Sequence, residues 1–294
     1  MTSHIAWELY RSFLGVLTEG SLSGAARALG LTQPTVGRHI ETLEKSLGLV
    51  LFTRSQAGLM PTEAALALKP HAEAMESTAA ALERAAASQG EGVHGVVRVT
   101  ASDVVGVEVL PPVIEALRRR HPRLKVELVL SNRVQDLLNR EADIAVRMSR
   151  PTQKQLIARH VGRVGLGLFA SPAYIKRHGK PGNLQALAEH ALIGFDRPDA
   201  FVRAAIKGLK GLDRDAFSLR TDSDLAQLAL IRAGAGIGIC QVAIGRRDGL
   251  VQLLPKQFQL GLDTWITMHE DLRHSPRCKA AFDALVAALQ QHAR

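Results

Sequence analysis

Apolar residues recur at helical spacing along the first fifty positions, and glycines interrupt the pattern at each natural break. Trp7, Tyr10, Phe13, Leu14 and Leu17 share one face, which predicts an amphipathic helix over residues 5–19, stopped by Gly20-Ser21. Ser23 is a suitable N-cap for a short helix from Gly24 to Leu29. Gly30 follows, the residue type best able to take the positive φ that ends a helix. Thr32 can cap the next helix with Pro34 in its first turn, where a missing N–H costs little. Val36, Ile40, Leu43 and Leu47 form its apolar stripe, and Gly48 ends it. Leu51 to Arg54 and Leu59 to Pro61 then flank Ser55-Gln56-Ala57-Gly58 as two short extended pieces around a turn, which reads as a wing.

The spacing of the special residues is more telling than the helices themselves. Ala26 is small where two helices must cross, Gly30 lies four residues on in the turn, and Val36 six further on the buried face. This is the helix-turn-helix pattern, whose second helix enters the major groove of DNA. Opposite its apolar stripe lie Pro34, Arg38, Glu41 and Lys45, and its N-terminus carries Gln33 and Thr35. Gln33 can pair bidentately with adenine and Arg38 with guanine. Thr32, Thr35 and the first backbone amides suit phosphates, and Arg54 on the wing suits the backbone or minor groove.

Residues 13–62 resemble the DNA-binding domain of LysR-type transcriptional regulators. The resemblance is carried by Gly20-Ser21-Leu22, Ala25-Ala26, Leu29, Gln33-Pro34, Val36, Arg38, Ile40, Leu43-Glu44, Leu47-Gly48, Leu51-Phe52, Arg54 and Leu59 to Thr62. Two positions depart from it: Gly37 stands where the family often has Ser, and Ala65 where it usually has Gly.

Residues 63–89 are almost all good helix formers, and Thr62 can cap them. Leu68, Met75 and Leu82 repeat every seven residues beside Ala72, Ala79 and Ala86, so a seam of large residues runs along a seam of alanines. Such a face suits pairing with a second helix; the resemblance implies an antiparallel pairing across a dimer. Pro70 predicts a kink.

From Gly95 the pattern changes to alternating strands and helices: strands at 96–101, 125–130, 143–147, 165–170, 191–195 and 218–221, and helices at 109–121, 134–140, 172–178, 224–233 and 276–292, with a further element at 184–190. That alternation implies an α/β domain with a largely parallel sheet. This half is similar to the effector domain of the same family, which is like a periplasmic binding protein with two lobes and two crossovers. The residues that carry this looser likeness are Leu110-Pro111, Asp143-Ile144-Ala145 and the run Gly234 to Gly238. The expected organisation is an all-α winged helix-turn-helix over 1–62, a linker and dimerisation helix over 63–92, and an effector-binding domain over 93–294. Its first lobe would span about 93–162 and 267–294, and its second about 163–266. In such sheets ligands bind beyond the carboxyl ends of the strands, which here offer Ser102, Ser131, Arg147, Phe195 and Thr221.

Charge sharpens this picture. The chain carries +9, yet residues 1–89 hold 7 Lys and Arg against 8 Asp and Glu, leaving 30 against 20 for the rest. The DNA reading therefore rests on motif geometry, not on bulk charge. The C-terminal surplus, Arg147 at a strand end and Ser102 at a helix start together suggest an organic anion as effector. Arg118-Arg119-Arg120-His121 reads as a solvated helix end.

Other classes find little support. Gly234-Ala235-Gly236-Ile237-Gly238 follows a helix instead of a strand, so it fails the context of a dinucleotide fingerprint. No catalytic or metal-ligand spacing occurs among the 11 His and 2 Cys, so no enzyme activity, cofactor or metal is expected. Residues 1–10 lack the basic-then-apolar pattern of an export signal and no apolar run is long enough to span a membrane, which favours a cytoplasmic protein over a transport receptor. A pure oligomerisation scaffold is the remaining alternative for the C-terminal half. The expectation is a homodimer or homotetramer on an interrupted inverted repeat of double-stranded DNA, modulated by a small molecule.

Overall fold

The computed structural model describes residues 5–55, 58–86, 92–132, 142–151, 156–198, 202–203 and 214–293. The chain divides into two compact units, one built on Met1–Ala86 and the other on Ala87–Leu137 with Ala142–Arg294. The expected helix at 134–140, the wing turn at 56–57 and the last residues of the expected linker helix, 87–89, lie outside the described residues.

The first unit is a tri-helical core with a hairpin. Helix α1 (Trp7–Glu19) ends at Gly20, whose φ of 66° is the left-handed cap the sequence asks for. Helix α2 (Leu22–Leu29) begins two residues earlier than expected. Its cap is Ser21, not Ser23: Ser21 is extended and its Oγ accepts the Gly24 amide at 3.1 Å, whereas Ser23 falls inside the first turn. Helix α3 (Gln33–Leu47) is capped by Thr32, which accepts from the Thr35 amide, and ends at Gly48. Val36, Ile40 and Leu43 of its stripe are buried with Phe13, Leu14, Val16, Ala25 and Ala26, while Leu47 is half-buried against the same core. Each large side chain buried there contributes about 1.5–3 kcal/mol.

The wing is strand β1 (Phe52–Ser55) antiparallel to β2 (Gly58–Pro61). Three ties fix it to the helices. The Glu44 carboxylate accepts the Leu51 amide at 2.7 Å, the Leu59 amide donates to the Gly20 carbonyl at 3.1 Å, and the Phe52 ring leans on Phe13 with centroids 5.8 Å apart. Gly58 is required twice over: its φ is 115°, and a Cβ there would sit 2.9 Å from the Gly20 carbonyl oxygen.

Helix α4 (Glu63–Ala86) runs as one element through Pro70. Thr62 starts it, accepting the Ala65 amide at 3.2 Å while donating to the Val50 carbonyl at 2.8 Å. The expected dimerisation seam is divided. Ala65 and Ala72 are buried in the first unit's own core and Leu68 packs against it. Ala79 is half-buried, and Met75 and Leu82 are exposed.

The second unit is organised around a seven-stranded sheet in the order β10-β6-β11-β5-β3-β4, with β9 paired to β6. The strands are β3 (Gly95–Ala101), β4 (Leu124–Leu130), β5 (Ile144–Arg147), β6 (Leu156–Ala170), β9 (Gly238–Gln241), β10 (Val251–Leu253) and β11 (Leu260–His269). A small second sheet pairs β7 (Ile193–Gly194) with β8 (Leu219–Arg220) in parallel. The expected largely parallel sheet is in fact mixed: β3 is parallel to β4 and β5, but β6 and β11 run antiparallel to each other along ten paired residues. The sequence pattern marks only residues 165–170 of β6 and none of β11, since Arg159, His160, Arg163 and Asp263 break the apolar alternation. They are the two crossovers between separate cores. Val161 of β6 joins Val97, Val99, Ile144 and Ile266 in the first core, and Leu168 and Ala170 further along the same strand join the second.

The helices of this unit are α5 (Asp103–Glu108), α6 (Leu110–Arg120), α7 (Pro172–His178), α8 (Asp224–Ala233), α9 (Val242–Arg247) and α10 (Pro276–His292). Residues 185–189 form a 3-10 turn. Cys240 and Cys278 are both buried and not in a disulfide, and burial pushes the Cys240 thiol up to about 12, so it stays protonated and unreactive. Among the described residues no helix is long and apolar enough to cross a membrane, and no cluster of three His, Cys, Asp or Glu could hold a metal.

Candidate DNA-binding and effector sites

Burial of the Val36/Ile40/Leu43 stripe decides which side of α3 faces out. Thr32, Gln33, Pro34 and Arg38 are exposed and Thr35 is half-buried, so five of the expected DNA contacts share the N-terminal half of one helix. They are held in place by their own hydrogen bonds. Thr32 and Thr35 hydroxyls are 2.8 Å apart, and Ser23 donates to Gln33 Oε1 at 3.0 Å. Ser23 thus belongs to this surface, fixing the Gln33 amide, and the sequence reading had placed it in a cap instead. Arg54 is exposed on β1. Two exposed guanidiniums, a side-chain amide and paired hydroxyls at the start of α3 form a donor-rich face suited to base edges and phosphates. Gly37 leaves room: a Cβ there would meet only Leu22 Cδ1, at 3.7 Å.

The residues expected at the effector site form two sets, each assembled by strand register. Ala101 pairs with both Leu130 and Val146, so Ser102, Ser131 and Arg147 emerge side by side at the carboxyl ends of β3, β4 and β5. Gly194 pairs with Arg220, so Phe195 and Thr221 emerge together from β7 and β8. The first set lies on the lobe of the first core and the second on the lobe of the second.

The chemistry of these edges differs from the expectation. Arg147 is 9% exposed, and its guanidinium donates to Thr100 Oγ1 at 2.9 Å and to the Val146 carbonyl at 3.0 Å. The helix that Ser102 opens is only six residues long and starts with Asp103, a carboxylate where an anion was to sit; Ser102 itself makes no capping bond. Two of the three features that pointed to an anion, Arg147 and Ser102, thus carry less of that expectation, while the charge surplus of this half is unaffected. Missed entirely were the residues that shape the edges. Asn132 bridges to Asp103, and Asp222 accepts the Asp196 and Arg197 amides at 3.0 and 2.7 Å. Arg214 pairs with Asp196 at 2.7 Å. No local sequence signal marks these long-range partners.

Comparison with known proteins follows the same division. Residues 7–66 match a family model described as a bacterial regulatory helix-turn-helix protein of the lysR family, and residues 90–290 match the LysR substrate binding domain. The chain is 30% identical over 199 residues to the transcriptional regulator CrgA of Neisseria meningitidis serogroup C (strain 8013), covering 68% of this chain and 67% of that protein. An HTH-type transcriptional regulator of Xanthomonas campestris pv. campestris (strain 8004) is 31% identical over 62% of this chain, and the match spans about half of that relative, 53%. Among solved structures, CrgA superposes with a TM-score of 0.60 at 26% identity, covering 96% of this chain and 98% of that one. Full-length CbnR complexed with its target DNA shares the fold, with a TM-score of 0.67 at 20% identity and coverage of 97% and 99%. The chain therefore belongs to the LysR family of transcriptional regulators.

Proposed function

We propose that this protein is a sequence-specific DNA-binding transcriptional regulator, working in the cytoplasm as a binding protein and not as a catalyst. Residues 1–62 bind the operator, residues 63–92 pair two chains, and residues 93–294 hold a small molecule between lobes at about 93–162 with 267–294 and at about 163–266. The observation that carries the reading is the surface of α3. Its apolar stripe is buried, and Thr32, Gln33, Pro34 and Arg38 are exposed together at its N-terminal half. Pairing through Met75, Ala79 and Leu82 would set two such helices on a two-fold axis, so the operator is an interrupted inverted repeat.

The effector falls between Ser102, Ser131 and Arg147 on one lobe and Phe195 and Thr221 on the other. Hydroxyls, nearby carboxylates and one buried guanidinium make a mixed set that suits a small polar molecule with both donor and acceptor groups. Its occupancy shifts the balance between lobe arrangements and through it the placement of the dimer on DNA. Genomic footprinting with the full chain tests the first half of the reading: protected sites with dyad symmetry are expected, and protection without any shared sequence would defeat it. A thermal-shift screen of polar metabolites tests the second half, with Thr221→Val expected to abolish the shift of any hit.

A further inference from the structure

Within the second unit the lobes are joined by more than their crossover strands. Helix α5 leaves the end of β3 in the first lobe, yet Val104 and Val109 at its two ends pack against Phe169, Ile193, Leu228 and Ile231 of the second. Its last residue, Glu108, reaches two arginines of the second lobe. Arg232 Nη1 and Nη2 each donate to one Glu108 oxygen at 2.8 Å, a two-point fork. Arg247 donates from Nη2 to Glu108 Oε2 and from Nη1 to the Glu108 carbonyl, the latter at 2.8 Å. On the same seam His292, at the end of α10, lies 2.8 Å from Gln241 Oε1 at the end of β9.

Asp248 binds the same two arginines from their own side of the seam. It belongs to the same lobe as both arginines and takes Arg232 Nε at 2.8 Å, Arg232 Nη2 at 2.6 Å and Arg247 Nε at 2.8 Å. If Glu108 withdraws, both guanidiniums keep a carboxylate partner within their own lobe, and Glu108 passes into water. A buried pair without such a substitute would orphan a charge on opening and lock the lobes together. Here the opening leaves no cation stranded, so the contact is built to be released.

We infer that Glu108 is the moving half of a reversible latch between the lobes, closed on Arg232 and Arg247 and released when these arginines are left to Asp248. Its regulatory consequence rests on the effector-domain reading above; its mechanics do not. The two carboxylates hold opposite ends of one equilibrium. In the closed state the arginines bond both carboxylates at once; Glu108 draws them across the seam, while Asp248 holds them within their own lobe and, as a like charge beside Glu108, opposes it. The sign of each substitution follows: losing Glu108 favours the released state, and losing Asp248 favours the closed one.

The test uses the full-length chain with no effector present. Spin labels at Lys125→Cys and Lys180→Cys, both exposed positions on different lobes, report the interlobe distance by pulsed electron paramagnetic resonance. Cys240 and Cys278 are buried and do not compete for label. Glu108→Gln is expected to move or split the distance distribution by several ångströms, and Arg232→Gln to do the same, with no further change when the two are combined. Asp248→Asn is expected to narrow the distribution toward the closed distance. Unchanged distances in a folded Glu108→Gln protein would overturn the latch. So would an Asp248→Asn shift in the same direction as Glu108→Gln, because a merely structural cluster loosens whichever carboxylate is lost. Should Glu108→Gln not fold, Arg232→Gln decides. A failed metabolite screen leaves this measurement untouched, and an immobile seam leaves the effector reading standing.

Discussion

The two units solve the folding problem at different ranges. In the first, the two helices of the helix-turn-helix each start at a Ser or Thr cap and stop at a Gly close to their own apolar stripe: Ser21 to Leu29 and Gly30, Thr32 to Leu47 and Gly48. In the second, the decisive contacts join residues far apart, as in His160 with Asp263, 103 positions away, and Arg232 with Glu108, 124 positions away. The functional surfaces differ accordingly. The donors of α3 stand exposed on one rigid helix, whereas Arg147 is buried and spends its guanidinium on neighbouring strands. The surface proposed to read DNA thus lies on a single helix, and the surface proposed to hold the effector is assembled by strand register.

The sharpest way to break this contrast is to remove one core at a time. Phe13→Ala and Phe169→Ala each delete a fully buried ring and should each cost about 3–5 kcal/mol. Because the cores are separate, calorimetry of the full chain should show each variant lowering its own transition and sparing the other. A single transition that moves equally in both variants would contradict two independent units.

The divided linker seam gives a second pair. Ala72→Glu places a carboxylate in a site only 2% exposed, so the first unit should lose about 3–5 kcal/mol for an unpaired buried charge. Met75→Glu lies at an exposed position and should leave the fold intact while dissociating dimers in sedimentation. Dimers that survive Met75→Glu would place the interface elsewhere.

Two further changes act on the first unit at smaller scale. Arg38→Ala should weaken the specific operator by about 1–3 kcal/mol and random duplex by much less, as read by gel shift; equal losses would make Arg38 a phosphate contact. Ser21→Ala removes an observed cap and should cost about 1 kcal/mol, while Ser23→Ala should leave stability nearly unchanged and lower operator affinity through Gln33. Urea unfolding distinguishes the two serines.

The smallest effect near neutrality is a pH dependence of the second unit. The Arg232 fork, helped by Arg247, holds the Glu108 carboxyl down at about 2. Its folded-state value lies below the ordinary 4.5, so its contribution is full above that value and is lost as pH falls toward 2. Unfolding midpoints of Glu108→Gln should therefore be flatter than those of the parent between these limits, and equal slopes would remove Glu108 from the account.

The sequence by itself determined the helix-turn-helix, its wing, and the helices of the second unit at 172–178, 224–233 and 276–292, because each is specified by local periodicity together with a cap, a stop or a proline. It also located Ser102, Ser131, Arg147, Phe195 and Thr221 at strand ends, because a strand's end is a local property. The tertiary structure alone decided what those ends can do. Whether Arg147 is open to a ligand depends on Thr100, which β-strand pairing carries to it from 47 positions away. Whether Ser21 or Ser23 caps α2 depends on which hydroxyl reaches the Gly24 amide, and the crossover strands β6 and β11 are fixed by pairing with chain-distant strands, above all with each other. Hydrogen-bond register and side-chain reach across chain-distant elements leave no periodic trace, so the exposed face of α3 proposed to meet DNA could be read from the sequence, whereas the seam between the lobes could not.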